Sequence, residues 1–377
     1  MSHAGTQPRP PQRMSRDLWA LVVCWAIVVL TYSTDAYFVR AYSFWTVVPF
    51  LGAAIMFGAV GVMSHAEDLA HKLGEPYGTL ILTISAISIE VVLVASIMLG
   101  EDAKPGVGRD TMLATLMVIL NGLVGITLLI GGLRYRQQTF NLESSRSYLA
   151  VLIPLAVCAL ILPTYTISTD QPTLTWVQAV SFGFLTLGLY GVFLVMQTTR
   201  YNSYFVEDAE GDAHHKAEVV EKAAAARGTG IGKSTFLLVA TLLPVALLAH
   251  EFALHLKHDQ PQWMTDAVLG VIIAILVMTP EGLGALQAAW KNQIQRSVNI
   301  LLGSALSTVG LTVPVVIVIG LLTGRTFFLG LESNYAILLV LSLFVASITF
   351  GGARTDMLKG FVHLGIFAFY IILAFVP

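Results

Sequence analysis

Charge is scarce in this sequence. Asp, Glu, Lys and Arg make up 12% of its 377 residues, about half the share of an ordinary soluble protein. With 56% hydrophobic residues, too little polar surface exists to cover a water-facing globule, so most of its solvent is lipid. Cysteine is scarcer still. Cys24 and Cys158 lie in separate apolar runs, which leaves no disulfide framework and no metal-ligand spacing. Neither sign of charge dominates: 21 basic residues face 23 acidic ones, net −2. Without a basic stripe to neutralise phosphates, nucleic acid is excluded as a partner. The alternating pattern of a membrane β-barrel is also missing.

Long apolar runs are what the sequence does have. A helix needs about 20 residues to cross the hydrocarbon core, and eleven runs qualify: 17–32, 43–63, 78–100, 111–132, 148–167, 174–197, 235–254, 264–289, 297–321, 335–350 and 356–376. The expected fold is all-α, a polytopic membrane protein of eleven transmembrane helices. It divides into a cytoplasmic tail (1–16), a first helix and loop (17–42), a five-helix half (43–197), a cytoplasmic acidic linker (198–234) and a second five-helix half (235–377). Basic residues orient the set. With the N-terminus in the cytoplasm, 16 of them fall on the cytoplasmic side and five, Arg40, Lys104, Arg109, Lys257 and Arg325, on the other. The polar tail before the first run carries Arg9, Arg13 and Arg16 without a small-residue cleavage pattern, so a retained anchor is expected. In the linker, residues 207–215 are acidic and end in His214 and His215. They read as a solvated loop, or more sharply as a cytosolic cation or pH sensor.

Enzyme signatures are absent. Gly228-Thr229-Gly230-Ile231-Gly232-Lys233-Ser234 has Arg227 where a phosphate loop needs its first glycine, and a membrane helix follows it. In His250-Glu251-Phe252-Ala253-Leu254-His255 the histidines stand five apart, so they cannot face one zinc ion from a helix. No nucleophile elbow appears. A transporter is expected, not an enzyme, and no cofactor.

Two acids break the pattern of polar connectors. Glu90 and Glu281 lie deep within the third and eighth runs, where a charge costs about 2.5–3.5 kcal/mol on insertion scales. Such residues mark ion or proton paths, and their surroundings match. Ser88 and Thr279 each stand two positions before the glutamate, and each span is followed by an arginine (Arg109, Arg296). The next helices share Val124-Gly125-Ile126-Thr127 and Val309-Gly310-Leu311-Thr312. One five-helix unit used twice enters the membrane from opposite sides, and inverted repeats of this kind build a midplane site from interrupted helices. Pro280 lacks an N–H, and Gly282 and Gly284 loosen the next turn. A helix break is therefore expected at Pro280 and Gly282.

These residues carry a resemblance. Gly74 through Glu90, and Glu281 through Pro314 with Lys291-Asn292 and Gly303-Ser304-Ala305, resemble the repeats of the calcium/cation antiporter superfamily. The nearest likeness is to its Ca²⁺/H⁺ exchanger branch and the bacterial ChaA-type sodium-potassium/proton and calcium/proton antiporters. The resemblance implies that Glu90 and Glu281 bind the transported cation and the competing protons, in a bacterial inner membrane. Ile87 and Met278 occupy positions where that branch usually has a cation-binding asparagine. Their presence fits the monovalent-accepting type better than a strict calcium exchanger.

A hard cation takes oxygen ligands. Supporting ligands are expected from Ser85, Asn121, Ser304 and Ser307, with Ser88 and Thr279 contributing where the helix is broken. His65 and His250 are candidate proton relays. The partners are then inorganic cations (Ca²⁺, Na⁺ or K⁺), protons and the bilayer. The rival reading is a cation channel or passive pore, although channels build filters from subunit rings and this chain carries its own inverted pair.

Overall fold

A computed structural model describes residues 12–33, 44–73, 77–100, 105–169, 171–205, 230–258 and 264–376. Its long helices are α1 (Gln12–Ser33), α2 (Phe44–Leu73), α3 (Tyr77–Leu99), α4 (Val107–Tyr135), α5 (Leu142–Tyr165), α6 (Trp176–Thr198), α7 (Ile231–His258), α8 (Asp266–Trp290), α9 (Ile294–Thr323), α10 (Ser333–Phe350) and α11 (Met357–Phe375). Nine of these are long and apolar enough to cross a membrane, and α1 and α3 contain shorter apolar helices. The protein is thus an all-α polytopic membrane protein. The acidic and histidine-containing stretch 207–215 lies outside the described residues, as do residues 1–11.

Helix starts follow local chemistry. Asn141 caps α5 by accepting from the N–H groups of Glu143 and Ser144. Thr175 and Gln178 form a reciprocal capping box on α6, while Thr265 and Asp356 cap α8 and α11. Each cap satisfies donors that the first turn of a helix leaves open. The second apolar run ends near 63, yet α2 continues to Leu73. His65, Ala66, Leu69 and Ala70 are buried, so neighbouring helices hold the polar end of α2 as firmly as its apolar part.

The connectors sort into two faces. Those after α3, α5 and α9 meet: Arg325 donates to the Gly100 carbonyl at 2.7 Å, and Phe328 and Leu329 donate from their backbones to Pro105 and Pro172. Those after α4, α8 and α10 meet at the opposite ends of their helices. Tyr135 donates to the Trp290 carbonyl at 2.8 Å, and Gln138 to Asn292 at 2.8 Å. There too, β1 (Gln137–Thr139) pairs antiparallel with β2 (Arg354–Asp356), two short strands that the hydrophobic pattern does not announce. This sorting is what alternating spans require.

Inside, helices from early and late in the chain interleave. α2 runs along α7, α4 along α8, α6 against α9, and α11 against α4. Small residues allow the tightest approach, as lipid-embedded helices require. A Cβ on Gly58 of α2 would collide with Val245 of α7 and stand 2.8 Å from Cys24 of α1.

Two irregularities shape the centre, and neither is the expected one. α8 runs unbroken through Pro280 and Gly282. Proline removes a single N–H, and neighbouring helices support the rest of the ladder, so the helix absorbs it. The perturbations lie instead in α4 and α9, with a further π turn, Val157–Ile161, in α5. Val118–Leu123 and Thr308–Thr312 form wide π turns; in the first, Val124 donates to Ile119, five residues back. π turns of this kind recur at functional sites.

Candidate ion-binding site

Glu90 lies in α3 and is 1% exposed. Both of its oxygens are held from the π turn of α9. Thr308 donates to Oε2 at 2.9 Å and Thr312 donates to Oε1 at 3.3 Å. Residues four apart share a helix face, so one stretch of α9 presents both hydroxyls to one carboxylate. Glu281 lies in α8 within electrostatic reach of Glu90. Its Oε2 is buried and has no hydrogen-bond partner. Among the described residues neither glutamate forms an ion pair, and no group of three or more acids, histidines and cysteines surrounds a metal-sized space. The groups brought together here are two carboxylates and neutral oxygens, the kind of donors a hard cation takes.

The remaining candidates divide. Ser85 is buried in α3, one turn before Glu90. Ser88 and Thr279 occupy equivalent places, each donating at 2.6 Å to the carbonyl four residues earlier, Ile84 and Ile275. With both helices intact, these hydroxyls are spent on their own backbones. Ser307 donates to the Ser304 carbonyl at 3.1 Å and, like Thr83 of α3, lies near the Tyr190 hydroxyl. Asn121 sits in the π turn of α4, but its amide is engaged elsewhere. It donates to Ser342 at 2.8 Å and contacts His363 Nδ1 at 3.2 Å, while His363 Nε2 lies 2.9 Å from Thr349 Oγ1. His65 is buried, whereas His250 is exposed on α7.

Thr308, Thr312, Tyr190 and His363 escape the sequence reading. The repeated Val-Gly-Leu-Thr block does contain Thr312, so a signal for that position exists. Nothing local distinguishes Thr308.

Comparison with known proteins decides the family. The profile described as sodium/calcium exchanger protein matches residues 42–199 and 233–376. The chain belongs to the sodium/calcium exchanger family. This exchanger is 38% identical over 330 residues to the putative ionic transporter y4hA of Sinorhizobium fredii, covering 87% of this chain and 88% of that one. It is 35% identical over 322 residues to the sodium-potassium/proton antiporter ChaA of Escherichia coli, covering 85% and 86%. Its fold is similar to that of native YfkE, with a TM-score of 0.68 at 17% identity, covering 96% of this chain and 100% of that one. Family membership makes the exchanger a multi-pass cation antiporter, a member of a transporter family.

Proposed function

We propose that the protein is a secondary active cation/proton antiporter exporting cytosolic Ca²⁺, Na⁺ or K⁺ in exchange for H⁺. Glu90 and Glu281 form its shared site, reached alternately from each side of a bacterial inner membrane. The N-terminus and the linker over 198–234 face the cytoplasm, and 43–197 and 235–377 act as inverted halves. The supporting observation is the pair itself: two neighbouring carboxylates in the helix bundle, without a basic partner among the described residues.

Uncompensated buried charge is costly. Each carboxylate must be balanced by a cation or neutralised by a proton, and the same oxygens cannot hold both. That competition is the exchange. One pH unit supplies about 1.4 kcal/mol per proton, and the membrane potential adds about 2.3 kcal/mol per charge per 100 mV. Inward protons can then drive cations out. Thr308 and Thr312 donate to a charged Glu90 and turn their lone pairs toward a bound cation.

Glu90→Gln and Glu281→Gln are each expected to abolish cation-dependent proton release from acid-loaded inverted vesicles. Wild-type exchange in either variant would remove that glutamate from the shared site. Flux that needs no counter-gradient and does not saturate would favour a passive pore.

A further inference from the structure

The two glutamates have unlike surroundings, and two side chains of α4, Leu123 and Thr127, account for the difference. Val124-Gly125-Ile126-Thr127 of α4 corresponds to Val309-Gly310-Leu311-Thr312 of α9. In that register Leu123 stands where α9 has Thr308. Both belong to the π turns, Leu123 as the last residue of one and Thr308 as the first of the other.

Their chemistry differs completely. Thr308 gives Glu90 a hydrogen bond of 2.9 Å. Leu123 gives α8 only methyl groups: its Cδ2 lies 3.0 Å from where a Cβ on Gly282 would stand, beside Glu281. Thr127, the counterpart of Thr312, donates at 2.8 Å to Val124 of its own helix. So α9 offers Glu90 two hydroxyls, whereas Glu281 keeps a buried oxygen with no partner.

We propose that Leu123 sets the cation preference of the site by withholding a hydroxyl oxygen from the Glu281 side. This rests on the antiporter reading above. Ca²⁺ takes six to eight oxygens, and an ion–dipole attraction scales with ion charge. A missing hydroxyl therefore costs a divalent ion about twice what it costs a monovalent ion of equal size. Leucine at this position tilts the site toward Na⁺ and K⁺.

The test uses the full chain in proteoliposomes, with Ca²⁺/H⁺, Na⁺/H⁺ and K⁺/H⁺ exchange measured for wild type, Leu123→Val and Leu123→Thr. Valine and threonine have the same shape and differ by a methyl against a hydroxyl. The ratio of the Na⁺ KM to the Ca²⁺ KM is expected to be larger in Leu123→Thr than in Leu123→Val, by on the order of tenfold. Thr308→Val runs the comparison in reverse and should lower the same ratio relative to wild type. Equal ratios in the two Leu123 variants, or an unchanged ratio in Thr308→Val, would overturn the role of Leu123. A wild-type chain that exchanges none of the three cations would instead overturn the antiporter reading, and this inference with it.

Discussion

Asn121 illustrates how a buried amide is committed by its neighbours. One end donates to Ser342 on α10 and the other meets His363 on α11, so three helices close around it at the centre of the bundle. Removing it leaves Ser342 and His363 each with one partner fewer in the buried interior. A buried polar group stranded in this way costs about 1–3 kcal/mol. Asn121→Ala is expected to lower the Tm in detergent while leaving the KM for cations near wild type. A raised KM with an unchanged Tm would return Asn121 to the cation site. Which role such a residue plays is invisible from the chain alone. Asn121 stands in an apolar run like any candidate ligand, and its partner Ser342 lies 221 residues away. Glu90 and Glu281 were legible because a carboxylate deep in lipid is expensive wherever it points. Thr308 was not, since a threonine in a membrane helix ordinarily satisfies itself on its own backbone, as Ser88 and Thr279 do.

Helices carry the next level of information. Eleven of them were readable because length and hydropathy suffice to specify a span, and their boundaries moved mostly by a few residues. Their internal shape was less readable. Pro280 marks the eighth helix as a breaking point, yet packing on several sides keeps α8 continuous, while π turns form in α4, which has no proline, in α9 just before Pro314 and in α5 just after Pro154. Gly310 shows what one of these turns achieves. A Cβ there would lie 2.7 Å from Cγ of Tyr190, whose ring closes α6 against α9 and whose hydroxyl lies near Thr83 beside the site. Gly310→Ala should therefore destabilise the protein by about 1–3 kcal/mol through overpacking. Combined with Tyr190→Ala, the substitution should add little further loss. Additive Tm decreases in the double variant would show that the contact does not matter.

At the scale of the whole molecule, two sets of connectors define two faces, and the cytoplasmic N-terminus proposed above gives those faces a direction. Glu143 opens α5 on the face carrying β1 and β2, and Gln171 lies in the connector between α5 and α6 on the other. Both are exposed. In a chain with Cys24 and Cys158 replaced by serine, a membrane-impermeant maleimide applied to intact cells should label Gln171→Cys and spare Glu143→Cys. The opposite result would invert the topology, while the direction of exchange, set by the gradients, would stay the same.

Interleaving of early and late helices also dictates when the molecule can be finished. Arg109 and Asn121 each find a partner 221 residues further along, in Gly330 and Ser342, and β1 waits for β2. At about 5–20 residues per second, synthesis separates these partners by roughly 10–45 s. During that interval α4 lacks the distant partners of Arg109 and Asn121, and Glu90 is without Thr308. The first half is therefore a natural client for whatever shelters polar helices during insertion, and release from that shelter is timed by the arrival of α9 and α10.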